Sequence, residues 1–512
     1  MKTTRLTRIA LLLSSLFLVD KLAAILRQVL IARQFGLSPQ LDAFNVANNV
    51  PDLLFALISG GALAIAFIPV LSEVLTLSGR RPAWTLFSRI ANLAFLVTAG
   101  LSVLVAIFAT PMVKAEIGIA PGFTPSQQDL VIWLMRLNLI ATLIFSISGL
   151  VMAGLQANQH FLLPALAPIF YNFGQIFGVT ILSPAQGYTF GPLTLPAYNL
   201  GVSGLVYGVI IGALLHLLIQ VPGLIKFQFH WTLSLGLRTP EVRKVLRLMG
   251  PRLVTIFFIQ LIFLIRDNLA SRLAAGSVTA LTYGWMVQQV PETLIGTAIG
   301  TALLPTLSEQ FATERTEEFR VTIEKAARVL IALCLPIAAA LAVGLSPLLG
   351  MAFNFGADGT RLLTYVTAAF LGGLLGHSLK EVSARAFLAR QNAVIPLITA
   401  ALNACFYAIL GSLLYRPLGA TGIAITDSLV FTGEAVLLLI LLRKRMKIQI
   451  HPDSTLLRAL AAAVVSGLVT WGLLTGLEPR TPTIVAATLP MIIGFVVSIP
   501  LVWKEMKLLL HL

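Results

Sequence analysis

Long apolar stretches alternate with short polar connections along the whole chain. They fall at roughly 9–34, 42–76, 84–112, 128–155, 162–183, 200–226, 243–275, 277–311, 323–350, 362–391, 394–415, 418–446, 456–478 and 482–505. Each is long enough for the ~20 residues that carry a helix across a bilayer hydrocarbon core. Only a helix or a closed barrel satisfies its own backbone there, and runs of this length are too long for barrel strands. The pattern predicts an all-α polytopic membrane protein with about fourteen transmembrane helices.

The pattern also repeats. Residues 27–73 begin Arg27-Gln28 and end Ile68-Pro69-Val70-Leu71-Ser72-Glu73, and 266–309 begin Arg266-Asp267 and end Leu304-Pro305-Thr306-Leu307-Ser308-Glu309. Val50-Pro51-Asp52 is echoed by Val290-Pro291-Glu292, Gln159 and Pro164 by Gln391 and Pro396, and Gly201 and Gly204 by Gly419 and Gly422. Six stretches separate the two copies, so both enter the membrane from the same side and are parallel repeats. The expected organisation is a first six-helix lobe over 1–230, a second over 231–450 and two additional C-terminal helices over 451–512.

Hydrophobic residues make up 57% of the 512 and charged residues 11%, against about 25% charged in a soluble domain. The net charge of +15 does not point to nucleic acid, because the basic residues sit between the apolar runs. Lys and Arg in alternate connections divide 22 to 6, the minority being Arg33, Lys114, Arg272, Arg361, Arg416 and Arg480. By the positive-inside rule both termini are cytoplasmic. Three basic residues before the run Ile9 to Val19 also fit a signal peptide, but the repeat needs this segment in the mature protein.

An ionisable side chain at the centre of a membrane helix costs at least about 2.5–3.5 kcal/mol, so those that persist face a cavity or a partner. In the first stretch Asp20, Arg27 and Gln34 are spaced by seven, as are Lys21 and Gln28, which puts all five on one stripe. In the second, Asp42, Asn45, Asn49 and Asp52 form one polar face, and the matching positions of the eighth are Thr282, Trp285, Gln289 and Glu292. The seventh carries Arg266 and Asp267. The first, second, seventh and eighth stretches are therefore expected to line a wet cavity, with pairing among the charges or snorkelling to the interface as the plainer alternative. Arg27 and Arg266, deep in apolar sequence, are suited to phosphate or pyrophosphate, because a guanidinium donates two parallel hydrogen bonds and stays charged.

Pro51 and Pro69 in the second stretch match Pro291 and Pro305 in the eighth. Proline removes a helical hydrogen bond, so Pro51 and Pro291 mark expected gating bends. The glycine pairs Gly174/Gly178, Gly208/Gly212, Gly296/Gly300 and Gly372/Gly376 read as close intramolecular helix contacts, consistent with a monomer. Cys334 and Cys405 lie inside apolar runs, and no phosphate loop, metal-binding helix motif or nucleophile elbow occurs. No catalytic chemistry, metal or resident cofactor is expected.

The segment from Arg27 to Glu73, with Ala32-Arg33-Gln34-Phe35-Gly36, Leu41-Asp42-Ala43-Phe44 and Ala66-Phe67-Ile68-Pro69, resembles the MurJ/MviN family of lipid II flippases. So do Ala270-Ser271 to Tyr283, Gly300-Thr301 to Ser308, and Arg385-Ala386-Phe387 to Arg390-Gln391-Asn392 with Pro396. The resemblance covers essentially the whole chain. It implies a flippase carrying undecaprenyl-pyrophosphate-linked peptidoglycan precursor from the inner to the outer leaflet of the bacterial cytoplasmic membrane by alternating access, in contact with membrane lipids. It also implies substrate-binding roles for Lys21, Arg27 and Asp42, to which the spacing adds Arg266. Lys21 replaces the usual arginine, Phe55 and Met286 stand where the family usually has arginines, and Gly60 stands in place of a family glutamate. These departures keep open another lipid-linked oligosaccharide, a small-molecule export substrate or a non-transporting role in envelope assembly. Some family members bind sodium, and Asp267 matches one ligand while Asn403 is a second candidate, with Tyr407 where a carboxylate would help. Coupling to sodium or to the membrane potential follows as an expectation.

Overall fold

A computed structural model describes residues 5–58, 61–446, 453–477 and 483–509. Gly60 lies outside these, as do Lys2, Lys447 and Arg480 of the charge pattern. The chain begins with α1 (Arg5–Phe35), α2 (Pro39–Ile58), α3 (Gly61–Ser78) and α4 (Arg80–Lys114). There follow α5 (Pro125–Ala157), α6 (Leu162–Phe177), α7 (Val202–Leu218), α8 (Val221–Lys226) and α9 (Pro240–Ala270). The second half contains α10 (Ser277–Glu292), α11 (Ala298–Ala312), α12 (Thr316–Gly344), α13 (Ser346–Phe353), α14 (Gly356–Gly372) and α15 (Leu374–Ala389). It ends with α16 (Val394–Met446), α17 (Asp453–Leu477), α18 (Thr483–Ser498) and α19 (Trp503–Leu509). A two-residue antiparallel pairing, Thr189–Phe190 with Leu193–Thr194, interrupts the connection before α7.

Among the described residues ten helices are long and apolar enough to cross a membrane, eleven if the bent pair α14 and α15 is one span. The all-α polytopic class holds, but the fourteen stretches do not map one for one onto separate helices. The stretches at 394–415 and 418–446 are joined in α16, because the backbone leaves helical geometry only at Gly419 (φ 60°, ψ −144°).

Packing divides the chain into two compact units, Met1–Asn268 and Leu269–Leu512. Nearly all of α9 belongs to the first by this measure, because Val242, Val245 and Met249 enter a core with Phe67, Trp84, Phe87 and Leu150. The connection ahead of α9 is pinned to α4: Trp84 Nε1 donates to the Phe227 carbonyl at 2.9 Å, and Asn92 Nδ2 to those of Thr232 (2.8 Å) and Ser234 (2.9 Å). α6 and α7 approach through glycine, and a Cβ on Gly174 would run into the Gly212 backbone while one on Gly178 would meet Gly208 at 2.7 Å. The pairs Gly174/Gly178 and Gly208/Gly212 thus meet inside one unit, whereas a Cβ on Gly372 would meet nothing within 4 Å.

In the second unit Leu307, Phe319, Ile323, Phe387 and Leu438 form the main core. The C-terminal helices pack on α12 through Ala332, Ala459, Ala462 and Val502, and Ser466 Oγ donates to the Pro336 carbonyl at 3.0 Å. Arg458 and Thr455 of α17 both donate to Glu505 of α19.

The repeat reaches the backbone. Gln159 and Gln391 turn with φ 55° and 56°, and Gly36 and Gly276 take φ 61° and 88°. Gly201 (φ 54°, ψ −138°) and Gly419 (φ 60°, ψ −144°) share a conformation that costs a side chain dearly.

Candidate functional site

In the first unit the stripe on α1 is held by one residue of α6. Arg27 Nη1 donates to Asn172 Oδ1 at 2.9 Å, and Asn172 Nδ2 donates to Asp20 Oδ1 at 2.9 Å, so a buried amide joins the two charges. Direct ion pairing would have neutralised the guanidinium; a bridging amide leaves it cationic and fixes its direction. Arg27 Nε is buried without a partner, a donor left for something else. Asp52 of α2 and Tyr171 of α6 lie within electrostatic reach of Arg27, and Asp52 is exposed. Lys21 is exposed on the same helix and has no side-chain partner among the described residues.

The other expected residues of this unit are more enclosed. Asp42 is buried near the start of α2, and Asn49 of that helix donates to Asp267 Oδ2. Arg266 Nε contacts Asp267 Oδ1 at 3.2 Å, both side chains are buried, and the guanidinium lies 5.1 Å from the Phe263 ring centre. Arg266 is therefore neutralised by its chain neighbour, unlike Arg27. Phe55, at a position the resemblance gives to arginine, meets Phe145 in a tilted contact (5.2 Å), and Phe145 meets Tyr171 at 5.1 Å and His216 at 5.4 Å edge-on. An aromatic ladder thus occupies that place.

Pro51 lies inside a continuous α2, whereas Pro291 stands one residue before the end of α10 and is followed by a π-turn, Thr293–Thr297. π-turns mark soft, functional points in helices, so only the second of the matched prolines sits at an observed irregularity of the described chain. Thr282, Trp285, Met286, Gln289 and Glu292 of α10 are all half-buried.

The second unit also gathers three ionisable groups that the sequence reading did not single out, His377, Asp427 and Glu434, around Glu292 and Asn403, which it did. His377 Nε2 of α15 lies 2.8 Å from Asp427 Oδ2 of α16, and Nδ1 lies 3.9 Å from Glu292 Oε1. The imidazole stacks on Phe431 at 4.2 Å. Two turns along α16, Glu434 accepts from Thr399 Oγ1 at 3.0 Å and from Asn403 Nδ2. The available signal was an ionisable residue within an apolar stretch; absence of a periodic stripe hid it.

Asp267 and Asn403, expected to hold a coupling cation, each have protein partners. A cation at Asp267 would have to displace Arg266 and Asn49, and Asn403 is engaged with Glu434. Among the described residues no group of three or more His, Cys, Asp and Glu has a metal-holding arrangement. A cavity of about 590 Å³ in the first unit, between α4 and α9, is lined by Leu57, Ala94, Leu101, Met249, Phe257 and similar side chains. It suits hydrocarbon and offers a polar headgroup nothing.

The family model described as "Lipid II flippase MurJ" matches residues 31–494. The chain belongs to the lipid II flippase MurJ family. This MurJ-family chain is 31% identical over 481 residues to the lipid II flippase MurJ of Burkholderia cenocepacia, covering 91% of this chain and 90% of that protein. It is 27% identical to the probable lipid II flippase MurJ of Rhizobium tropici, over 89% of this chain and 84% of the relative. Among solved structures, one described as lipid II flippase MurJ in an inward closed conformation aligns with TM-score 0.78 at 20% identity, over 97% of this chain and 100% of that one. An inward-facing multidrug resistance transporter of the MATE family in the MOP superfamily aligns at TM-score 0.66 and 15% identity, over 84% and 94%. At such identities these structures speak for the fold alone. Membership of the MurJ family and the many apolar helices make this a protein of the bacterial inner membrane.

Proposed function

We propose that this chain flips lipid II, the undecaprenyl-pyrophosphate-linked peptidoglycan precursor, from the inner to the outer leaflet of the cytoplasmic membrane, as a transporter and not an enzyme. The observation that carries the site assignment is Arg27: an arginine inside a membrane helix, aimed by the buried Asn172, with Nε still unpartnered. A pyrophosphate can take that donor and add the charge of Lys21 beside it, which offsets part of what Phe55 and Met286 no longer supply. Arg266 and Asp42 support the arrangement from buried positions, and the site is exposed to the two leaflets in turn, with bending near Pro51 and Pro291. Both termini are cytoplasmic and the working unit is the monomer. Coupling is to the membrane potential, which acts on net charge at about 2.3 kcal/mol per elementary charge per 100 mV.

The test is growth of cells depleted of their own lipid II flippase. Expression of this chain should restore growth and the outward movement of labelled lipid II. Good expression without rescue would defeat the assignment and favour another lipid-linked substrate.

A further inference from the structure

Inside the second unit three helices bring an imidazole between two carboxylates, and the flipping reading gives it no role. His377 is buried at 6% side-chain exposure, Asp427 at 7% and Glu292 at 20%. The ring is stacked on Phe431, which restricts its rotation. A neutral imidazole donates from one nitrogen and accepts at the other. With Nε2–H given to Asp427, Nδ1 is left as a lone pair facing a carboxylate across 3.9 Å, an arrangement that repels until a proton is added.

We infer that Glu292, His377 and Asp427 form a proton-binding site whose loading moves the end of α10. The inference rests on the flipping reading only for what the movement accomplishes. A hydronium ion donates the proton to His377 Nδ1: the N–H bond forms, one O–H bond of the hydronium breaks, and water is left. The resulting imidazolium attracts Glu292 and draws the C-terminal end of α10 toward α15. Release of the proton restores repulsion and frees it. Glu292 stands between Pro291 and the π-turn Thr293–Thr297, so the force acts where this helix is least able to resist bending.

The surroundings support a proton over a metal ion. No metal-holding set exists among the described residues. On α15 itself Lys380 lies 4.8 Å from the Phe431 ring centre, and Glu381 is paired with Arg385. α12 contributes the Cys334 thiol, 3.5 Å from Ser378 Oγ. α16 adds Glu434, held by Thr399 and Asn403, and on α14 Arg361 donates to Tyr365. Of these, the Cys334 thiol lies within electrostatic reach of Glu292, and the Cys334→Ser background of the test below removes it.

Full-length protein in lipid nanodiscs, with Cys334→Ser and Cys405→Ser, is spin-labelled at Leu294 and Leu388, both exposed and both in this unit. Distances are measured without substrate from about pH 5 to 8.5, the range over which imidazoles titrate, in sodium and in potassium. Two populations should exchange as one proton titrates, alike in both salts. His377→Gln should abolish the dependence, and Arg27→Ala should keep it while losing flipping. A pH-independent ratio in the parent, or unaltered titration in His377→Gln, overturns the inference, as does a transition seen in sodium alone. Should His377→Gln fail to insert, Asp427→Asn decides: loss of its charge must lower the midpoint pH, and an unmoved midpoint overturns the site. A titrating parent that does not flip lipid II removes the proposed function and leaves the proton site standing.

Discussion

The polar residues of the first unit converge on an arginine, and those of the second converge on a histidine. Around Arg27 the hydrogen-bond partner is an amide, with Asp20 beyond it and Asp52 within electrostatic reach, so a permanent cation is oriented without direct pairing. Around His377 the neighbours are two carboxylates, Asp427 at 2.8 Å and Glu292 at 3.9 Å. Yet the two units share a chain path, down to the turns at Gln159 and Gln391 and at Gly201 and Gly419. The two units repeat positions where backbone conformation restricts the residue, while the polar side chains they gather differ. On the two proposals above, one scaffold carries two kinds of site: a fixed charge for a ligand with two phosphates, and a variable charge for control.

The largest expected effect comes from breaking the arginine side of this comparison. Arg27→Ala should abolish complementation and weaken lipid II binding by about 10- to 100-fold, the worth of one or two charge-assisted hydrogen bonds at about 1.5–3 kcal/mol. Expression should be retained, because removing a charge from a membrane helix does not penalise insertion, while the melting temperature should fall modestly because buried Asn172 Oδ1 loses its donor. Wild-type growth of the variant would take Arg27 out of the binding site. The corresponding change on the histidine side, His377→Gln, is expected to leave binding and remove pH control, so the pair of variants separates the two roles.

A smaller effect tests how the arginine is positioned. Asn172 stands two residues before Gly174, whose close approach to Gly212 sets the spacing of α6 and α7. Gly174→Leu should cost about 1–3 kcal/mol through overpacking and displace Asn172 from Arg27. The expected signature in a thermal-shift measurement with added lipid II is a lower melting temperature and a weaker response to the lipid. Unchanged values would mean that the contact does not hold α6 in place.

The smallest effect belongs to the water-exposed turn at the start of α12. Arg320 Nη1 lies 2.9 Å from Glu324 and a second nitrogen contacts Glu317, whose carboxyl that hydrogen bond holds below its ordinary range. A depressed carboxyl contributes above its unfolded value and loses the contribution as pH falls through the folded one. Glu317→Gln should therefore shift the melting temperature by less than about 1 °C at neutral pH, as exposed pairs usually do. It should also leave the His377 titration where it was. A displaced midpoint in that variant would mean that surface charge contributes to the pH response.

The fourteen apolar stretches, the parallel repeat, the charged stripe on α1 and the matched glycines and prolines were all legible along the chain. They depend on what bilayer and backbone demand of residues close together in sequence: uninterrupted apolar length, period, and glycine where φ is positive. The partners of those residues were not legible. Asn172 is 145 positions from Arg27, and Asp427 is 50 from His377. Neither spacing repeats or marks a helix face, so no local rule could have paired them. Tertiary packing also decided that Arg266 is neutralised by Asp267 while Arg27 is not, and that of two matched prolines only Pro291 adjoins a π-turn. Burial is the physical reason: whether a charge is paired, bridged or left open depends on which helix is driven against it by apolar contact elsewhere, and that contact is settled by the whole unit at once.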